Sequence, residues 1–267
     1  NPSYNLYNSK EFNQAISQVS LTISTSMHND ETASLMEYVL PENHNLESWG
    51  DLHPSHNTYT LMQPTIMPLF NTRQFEETLL KWSGEEISYH KFLSNFWKER
   101  GVNWEKAVHD GFFDFKDKEP NLKSIKPLNK NILTFSSSSD EIELIIYEKI
   151  GIGDGTQANN PWLQEFPDPI SRSCWDNYMT ISSKTAKKLN LKNWNVSNGA
   201  LNGSIVNIIS DGLTIKNVPV MIQPGQADNT VGLAVGYGRT KAGKAANNVG
   251  FNAFPFLNSK NISIQLI

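Results

Sequence analysis

Apolar positions recur with two different periods along this sequence, and the change of period divides it. Phe12, Ala15, Ile16 and Val19 fall at helical spacing and predict a short amphipathic helix after Lys10. The period then drops to two over Val19-Ser20-Leu21-Thr22-Ile23-Ser24, which predicts a strand. Glu31 to Met36 reads as a second helical start with Asn29 or Asp30 placed to cap it, and Tyr38-Val39-Leu40-Pro41 as a short strand stopped by proline. Helix, strand, helix, strand at these lengths is a fragment of a parallel α/β sheet. Parallel strands are normally buried on both faces, so further strands are expected upstream of Asn1 and the chain reads as an excised fragment.

Residues 42–74 show little periodicity and read as a long loop. Arg73 to Lys81 and Tyr89 to Glu99 carry apolar stripes at helical spacing, with Trp82, Phe96 and Trp97 most simply in a core. Trp104, Phe112, Phe113 and Phe115 read as a loosely structured aromatic tail, and Pro120 to Lys130 as a linker. From Asn131 onward short β-rich runs alternate with turn residues. The runs are Ile132 to Phe135, Glu141 to Tyr147, Tyr178 to Ile181, Ser204 to Ser210, Gly212 to Ile215, Val218 to Ile222, Val231 to Val235 and Ile262 to Ile267. Ser183 to Leu189 adds one small helix capped by Ser182 or Ser183, and the whole predicts a closed or nearly closed β-barrel.

Composition removes several classes of function. A length of 267 residues admits about two domains. The 23 Lys and Arg against 27 Asp and Glu leave no basic excess for nucleic acid. No apolar run approaches the roughly 20 residues of a membrane-spanning helix. A single cysteine, Cys174, excludes an internal disulfide and an iron–sulfur cluster held by this chain alone; without a nearby histidine it reads as a buried filler.

Three stretches dense in Gly, Asn, Trp, Pro and Asp carry whatever chemistry there is: Gly151 to Asn177, Gly236 to Lys244 and Ala245 to Pro255. Such loops suit a heterocyclic ligand, a protein partner, or merely a packed surface. Gly153-Asp154-Gly155-Thr156-Gln157-Ala158-Asn159-Asn160-Pro161-Trp162-Leu163-Gln164-Glu165, followed by Trp175-Asp176-Asn177-Tyr178, resembles the C-terminal barrel of molybdopterin oxidoreductases. It is similar in particular to the molybdopterin-like, iron–sulfur subunit of bacterial alternative complex III, a quinol:cytochrome c oxidoreductase. Asn29-Asp30-Glu31-Thr32-Ala33, Glu47-Ser48-Trp49-Gly50-Asp51, Gln63 to Arg73, Gly236 to Thr240 and Gly250 to Ala253 extend the resemblance over nearly the whole chain.

The resemblance implies an α/β remnant of a Rossmann-like domain over 1–50, a loop and helical connection over 51–130, and an all-β double-psi β-barrel of the aspartate-decarboxylase-like type over 131–267. It further implies a scaffold that holds no cofactor itself, with iron–sulfur clusters on segments outside this chain. The partners would be the missing upstream domains and other subunits of a membrane-bound quinol-oxidising complex, on the periplasmic side of the bacterial inner membrane. Asn160, Trp162, Asp176, Asn177, Gly238 and Arg239 would then be relics of a cofactor-binding site. Two alternatives stand beside this: barrel loops that still clasp a molybdopterin guanine dinucleotide, and a module that binds protein only.

Other motifs are weaker. Gly238 to Ala245 nearly spells a phosphate-binding loop, but Ala245 stands where a hydroxyl should meet magnesium. His44, His53 and His56 lie beside Glu42, Glu47 and Asp51 at a spacing that fits no metal pattern.

Overall fold

The computed structural model describes residues 1–115, 142–210, 212–257 and 263–266. The expected strand Ile132 to Phe135 and the linker Pro120 to Lys130 lie outside them. The chain forms two compact units. Asn1–Thr22 and His28–Glu37 belong to the same unit as the residues from 142 onward, whereas Ile23–Met27 belongs with the residues that follow Tyr38.

In the N-terminal part, α1 (Pro2–Asn5) and α2 (Ser9–Ile16) precede β1 (Ile23–Ser24) and β2 (Tyr38–Val39), which pair in parallel with Ile23 opposite Tyr38. The parallel pair was expected, but β1 is much shorter than Val19 to Ser24. Val19 and Leu21 stay exposed and gain no partner strand. Asp30 Oδ1 accepts from the Thr32 and Ala33 N–H groups at 3.0 and 2.8 Å. It sits ahead of the N-cap, however, which is Thr32 and makes no side-chain capping bond, so neither Asn29 nor Asp30 is the cap expected. The element that follows is only a three-residue 3₁₀ turn, Ala33–Leu35, not an α-helix.

The second unit corrects two expectations. Residues 42–74 are not one long loop: β3 (Gly50–Ser55) and β4 (Thr58–Met62) form an antiparallel hairpin, turned by Asn57 at φ +66°. Two helices follow, α3 (Phe75–Trp82) and α4 (Tyr89–Glu99), the second capped by Ser88. The supposed aromatic tail is ordered. Asn103 caps α5 (Trp104–Asp110), Gly111 ends it at φ +77°, and β5 (Phe112–Asp114) joins β4. Propensity alone hides these pieces because their order comes from a shared aromatic core. Trp97 lies 4.7 Å from Tyr59 and 4.8 Å from Phe113 between ring centroids, and its Nε1 donates to Asp51 at 2.8 Å. Leu93 and Trp104 complete the buried cluster, whereas Trp82, expected in the core, is exposed.

The remaining elements are β6 (Ile142–Tyr147), α6 (Pro161–Gln164), β7 (Met179–Ile181), α7 (Ser183–Lys188), β8 (Asn193–Asn195), β9 (Leu201–Gly203), β10 (Ile205–Ser210), β11 (Leu213–Ile222), β12 (Thr230–Ala234) and β13 (Ser263–Leu266). Six of them curl into a closed barrel in the order β10-β11-β7-β12-β6-β13, and β8 with β9 form a separate hairpin. The sheet is mixed: β11 with β7 and β12 with β6 are parallel, the other ladders antiparallel. Period-two alternation fills the interior. Val206 and Ile208, Val218 and Val220, and Val231 and Leu233 point inward from their strands and meet Leu144, Met179 and Ile181. The two runs expected at Gly212 to Ile215 and Val218 to Ile222 are one strand interrupted by a bulge, where Asn217 sits at φ +61° and the register against β10 shifts. Ser182 caps α7 through the Thr185 N–H, as the sequence predicts.

Candidate functional site

The glycine-rich loops meet at one end of the barrel, and burial sorts their polar residues. Asn177 is fully buried just before β7, where Nδ2 donates to the carbonyls of Ala234 and Phe251 at 2.7 and 2.9 Å, and Oδ1 accepts from the Phe251 N–H at 2.8 Å. It thus ties the end of β12 to the loop after Gly250. Gly238 adopts φ +69°, and a Cβ there would stand 2.1 Å from the Asn252 nitrogen. The backbone approach that this glycine permits is to the chain itself.

Arg239 is buried against the N-terminal segment. Its Nε and Nη2 donate to the Glu31 carboxylate, with Nη2 at 2.7 Å from Oε2, and its Nη1 donates to the Gly155 carbonyl at 2.7 Å. The guanidinium carbon lies 4.7 Å from the centre of the Tyr4 ring, and the Tyr4 hydroxyl donates to the Tyr237 carbonyl. Burial alone would raise the Glu31 pKa. Hydrogen bonds from Arg239, the Lys241 N–H and Asn1 more than reverse this and hold the carboxyl well below the usual range. Glu31 and Tyr4 were not legible as site residues, since neither has a partner near it in sequence.

Asn160, Trp162 and Asp176 have a different fate. Asn160 caps α6, its Oδ1 accepting from the Trp162 N–H at 3.0 Å, and Trp162 is 82% exposed. The Asp176 side chain is exposed, and its carbonyl accepts from Lys149 at 3.5 Å. Cys174 is exposed as well, contrary to its reading as a buried filler.

Lys149 is the residue that sequence reasoning missed. Its ammonium lies 4.0 Å from the Tyr178 ring centre and 5.4 Å from that of Tyr237. Burial pushes its pKa down to about 8, partly opposed by Asp168 and Asp176. The available signal was a lysine directly after Glu148 in the largely apolar stretch from Ile142 to Ile152. A cavity of about 310 Å³ opens beside this cluster, lined among others by Tyr147, Asp168, Tyr178, Thr180, Gln223 and Gln226. Asp168 is anchored by the Ile170 and Ser171 N–H groups and the Ser171 hydroxyl, which also bonds the Tyr178 hydroxyl. Among the described residues no group of three or more His, Cys, Asp or Glu side chains could hold a metal. His44 instead caps the 3₁₀ turn Asn45–Glu47, and His53 stacks on Tyr59.

The near match to a phosphate loop is likewise spent on the chain: the Thr240 and Lys241 N–H groups donate to Glu31, those of Ala242 and Gly243 to Asn247, and that of Ala245 to Asn159. A dinucleotide needs donors aimed outward. Asn177, Gly238 and Arg239 offer none, so these three do not fit a cofactor-holding role, while Asn160, Trp162 and Asp176 remain open to a partner of any kind.

No family model matches the chain. It is 22% identical to the menaquinone reductase molybdopterin-binding-like subunit of Nitratidesulfovibrio vulgaris, across 96% of this chain and 37% of that protein. Its fold is similar to that of acetylene hydratase from Pelobacter acetylenicus, with a TM-score of 0.66, 15% identity, and coverage of 99% of this chain and 42% of that one. The chain thus spans less than half the length of either protein. At this low identity, the two matches support the resemblance to the C-terminal part of molybdopterin oxidoreductases.

Proposed function

We propose that this chain is the C-terminal part of a molybdopterin-oxidoreductase-like subunit that serves as scaffold in a quinol-oxidising electron-transfer complex, without catalysing a reaction itself. One observation carries the reading. Two of the buried polar residues of the loops that resemble a cofactor cover are fully paired with protein, Arg239 with Glu31 and Gly155, Asn177 with Ala234 and Phe251, while Gln164 bonds Ala158 through Nε2 and leaves Oε1 unpaired. A buried donor already satisfied gains little by changing partner, so such a loop is built for packing. The curated relative is itself named as a molybdopterin-binding-like subunit of a menaquinone reductase, which agrees with a place beside quinone chemistry.

On this reading the barrel is of the double-psi type, residues 1–50 close a Rossmann-like domain, 51–130 connect, and 131–267 form the barrel domain. Iron–sulfur clusters sit on other segments, and the partners are upstream domains and sister subunits at the periplasmic face of the inner membrane. No helix among the described residues is long and apolar enough to cross a membrane. Metal and pterin analysis of the purified full-length protein tests the proposal. Molybdenum, tungsten and pterin are expected far below one per chain, and stoichiometric amounts would overturn the scaffold reading in favour of a dinucleotide enzyme.

A further inference from the structure

Glu31 occupies a seat whose donors converge from three directions. Its Oε1 accepts from the Thr240 N–H at 2.8 Å, the Lys241 N–H at 3.0 Å and the Arg239 Nε at 3.0 Å. Its Oε2 accepts from Arg239 Nη2 at 2.7 Å and from Asn1 Nδ2 at 2.7 Å, with Arg239 Nε again at 3.1 Å. Successive backbone N–H groups aimed at one oxygen, joined by a forked guanidinium, form the standard chemistry of an oxyanion site. Gly238 at φ +69° supplies the turn that brings Thr240 and Lys241 round to the same point. The Arg239 side chain is itself more than nine-tenths buried, and its remaining nitrogen is fixed on the Gly155 carbonyl, so the fork is held in place before any anion arrives.

We propose that the turn from Gly238 to Lys241 is an oxyanion-binding site occupied in cis by the Glu31 carboxylate, which makes the N-terminal segment a tethered ligand of the barrel. The ligand class is a carboxylate or another small planar or tetrahedral oxyanion. The tether gives Glu31 a high effective concentration, so a free anion competes poorly while the segment is seated. Asn1, Thr32 and Tyr4 add a second layer to the latch: Asn1 Oδ1 accepts from the Thr32 N–H and hydroxyl, and Tyr4 reaches the Tyr237 carbonyl. The same Arg239–Glu31 pair underlies the scaffold reading, but what the turn accepts once Glu31 is withdrawn is a separate question; metal and pterin content tests the one, and anion binding by the emptied turn tests the other.

Emptying the seat tests it. In the full chain, Glu31→Ala and Glu31→Gln are compared with wild type by thermal unfolding in acetate or inorganic phosphate, with chloride at matched ionic strength as the control. Acetate or phosphate at tens of millimolar is expected to raise the midpoint of an emptied variant by about 3 °C or more beyond its effect on wild type. Labelling of Arg239 by phenylglyoxal, read by peptide mapping, gives a second measurement on whichever variant folds. Arg239 is expected to be unreactive in wild type, reactive in the variant, and slowed at least about threefold by the oxyanion, by the mass-action protection of a bound site. Equal shifts in variant and wild type, or labelling that neither anion slows, would mean that the turn binds Glu31 only as part of the fold and would overturn the proposal.

Discussion

Two asparagines of the same loop region, Asn160 and Asn177, show how one residue type serves opposite ends. Asn160 lies at the surface and bonds only two residues along the chain, capping a four-residue helix beside the exposed Trp162. Asn177 lies in the interior and bonds residues 57 and 74 positions away, closing the barrel end. Arg239 follows the inward pattern and Asp176 the outward one. An unpaired polar group costs about 1–3 kcal/mol only where water is excluded, so the inner set had to be paired by the fold. The outer set kept its hydrogen-bonding capacity because solvent supplies the partners. Inward residues of such loops therefore report on assembly of the unit, and outward ones on what meets it.

The difference is broken most severely at Arg239. Arg239→Ala leaves Glu31 buried, charged and short of three hydrogen bonds, and removes the donor to the Gly155 carbonyl. Loss of one partner of a buried pair costs about 3–5 kcal/mol. Denaturant titration should show a loss of that size, and Arg239→Ala combined with Glu31→Ala should cost clearly less than the two single changes added together. Additive losses would show that the two side chains do not act as a pair.

Lys149 sits at the border of the two sets, and its expected effect is smaller. Its pKa in the folded protein is pushed down to about 8 by burial, whereas the unfolded chain has a lysine of ordinary value near 10.4. Between those values the unfolded state binds more protons, so stability rises with pH across roughly pH 8 to 10.4. Unfolding midpoints should climb over that window, and Lys149→Met should flatten the climb while adding about 1 kcal/mol at pH 7, as replacement of a costly buried charge by an apolar group does. A flat wild-type profile would place the ammonium in water rather than over Tyr178 and Tyr237.

The barrel was legible in the sequence because alternation is a local signal: the runs Glu141 to Tyr147, Ser204 to Ser210 and Val231 to Val235 become β6, β10 and β12 within a residue or two. The hairpin of β3 and β4 was not, because Pro54 and the paired histidines mask a pattern whose apolar members, Tyr59 and Leu61, matter only against Trp97 and its neighbours. The site followed the same rule. Asn177, Gly238 and Arg239 were visible as unusual loop residues, but their partners lie 74, 14 and 208 positions away. Pairing over such distances leaves no trace in spacing, so the sequence could mark these residues without telling whether protein or ligand would satisfy them. Lys149 was overlooked for the complementary reason: a lysine beside Glu148 reads as surface until the rings of Tyr178 and Tyr237 lie against its ammonium.

The smallest effect on folding is expected at Trp162, and it sharpens the contrast because the ring is large. Were Trp162 a core residue, Trp162→Ala would cost about 3–5 kcal/mol. At 82% exposure it has almost no burial to lose, so the change should stay within about 0.5 kcal/mol by denaturant titration. Ile150 and Ile170 are likewise exposed, at 80% and 70%, close to Trp162 in sequence. If the proposed scaffold role holds, Trp162→Ala in the full-length protein should leave the unfolding midpoint unchanged while weakening retention of any co-purifying subunit. A loss of stability comparable with that of Arg239→Ala would move Trp162 to the inward set and remove the distinction between the two sets of loop residues.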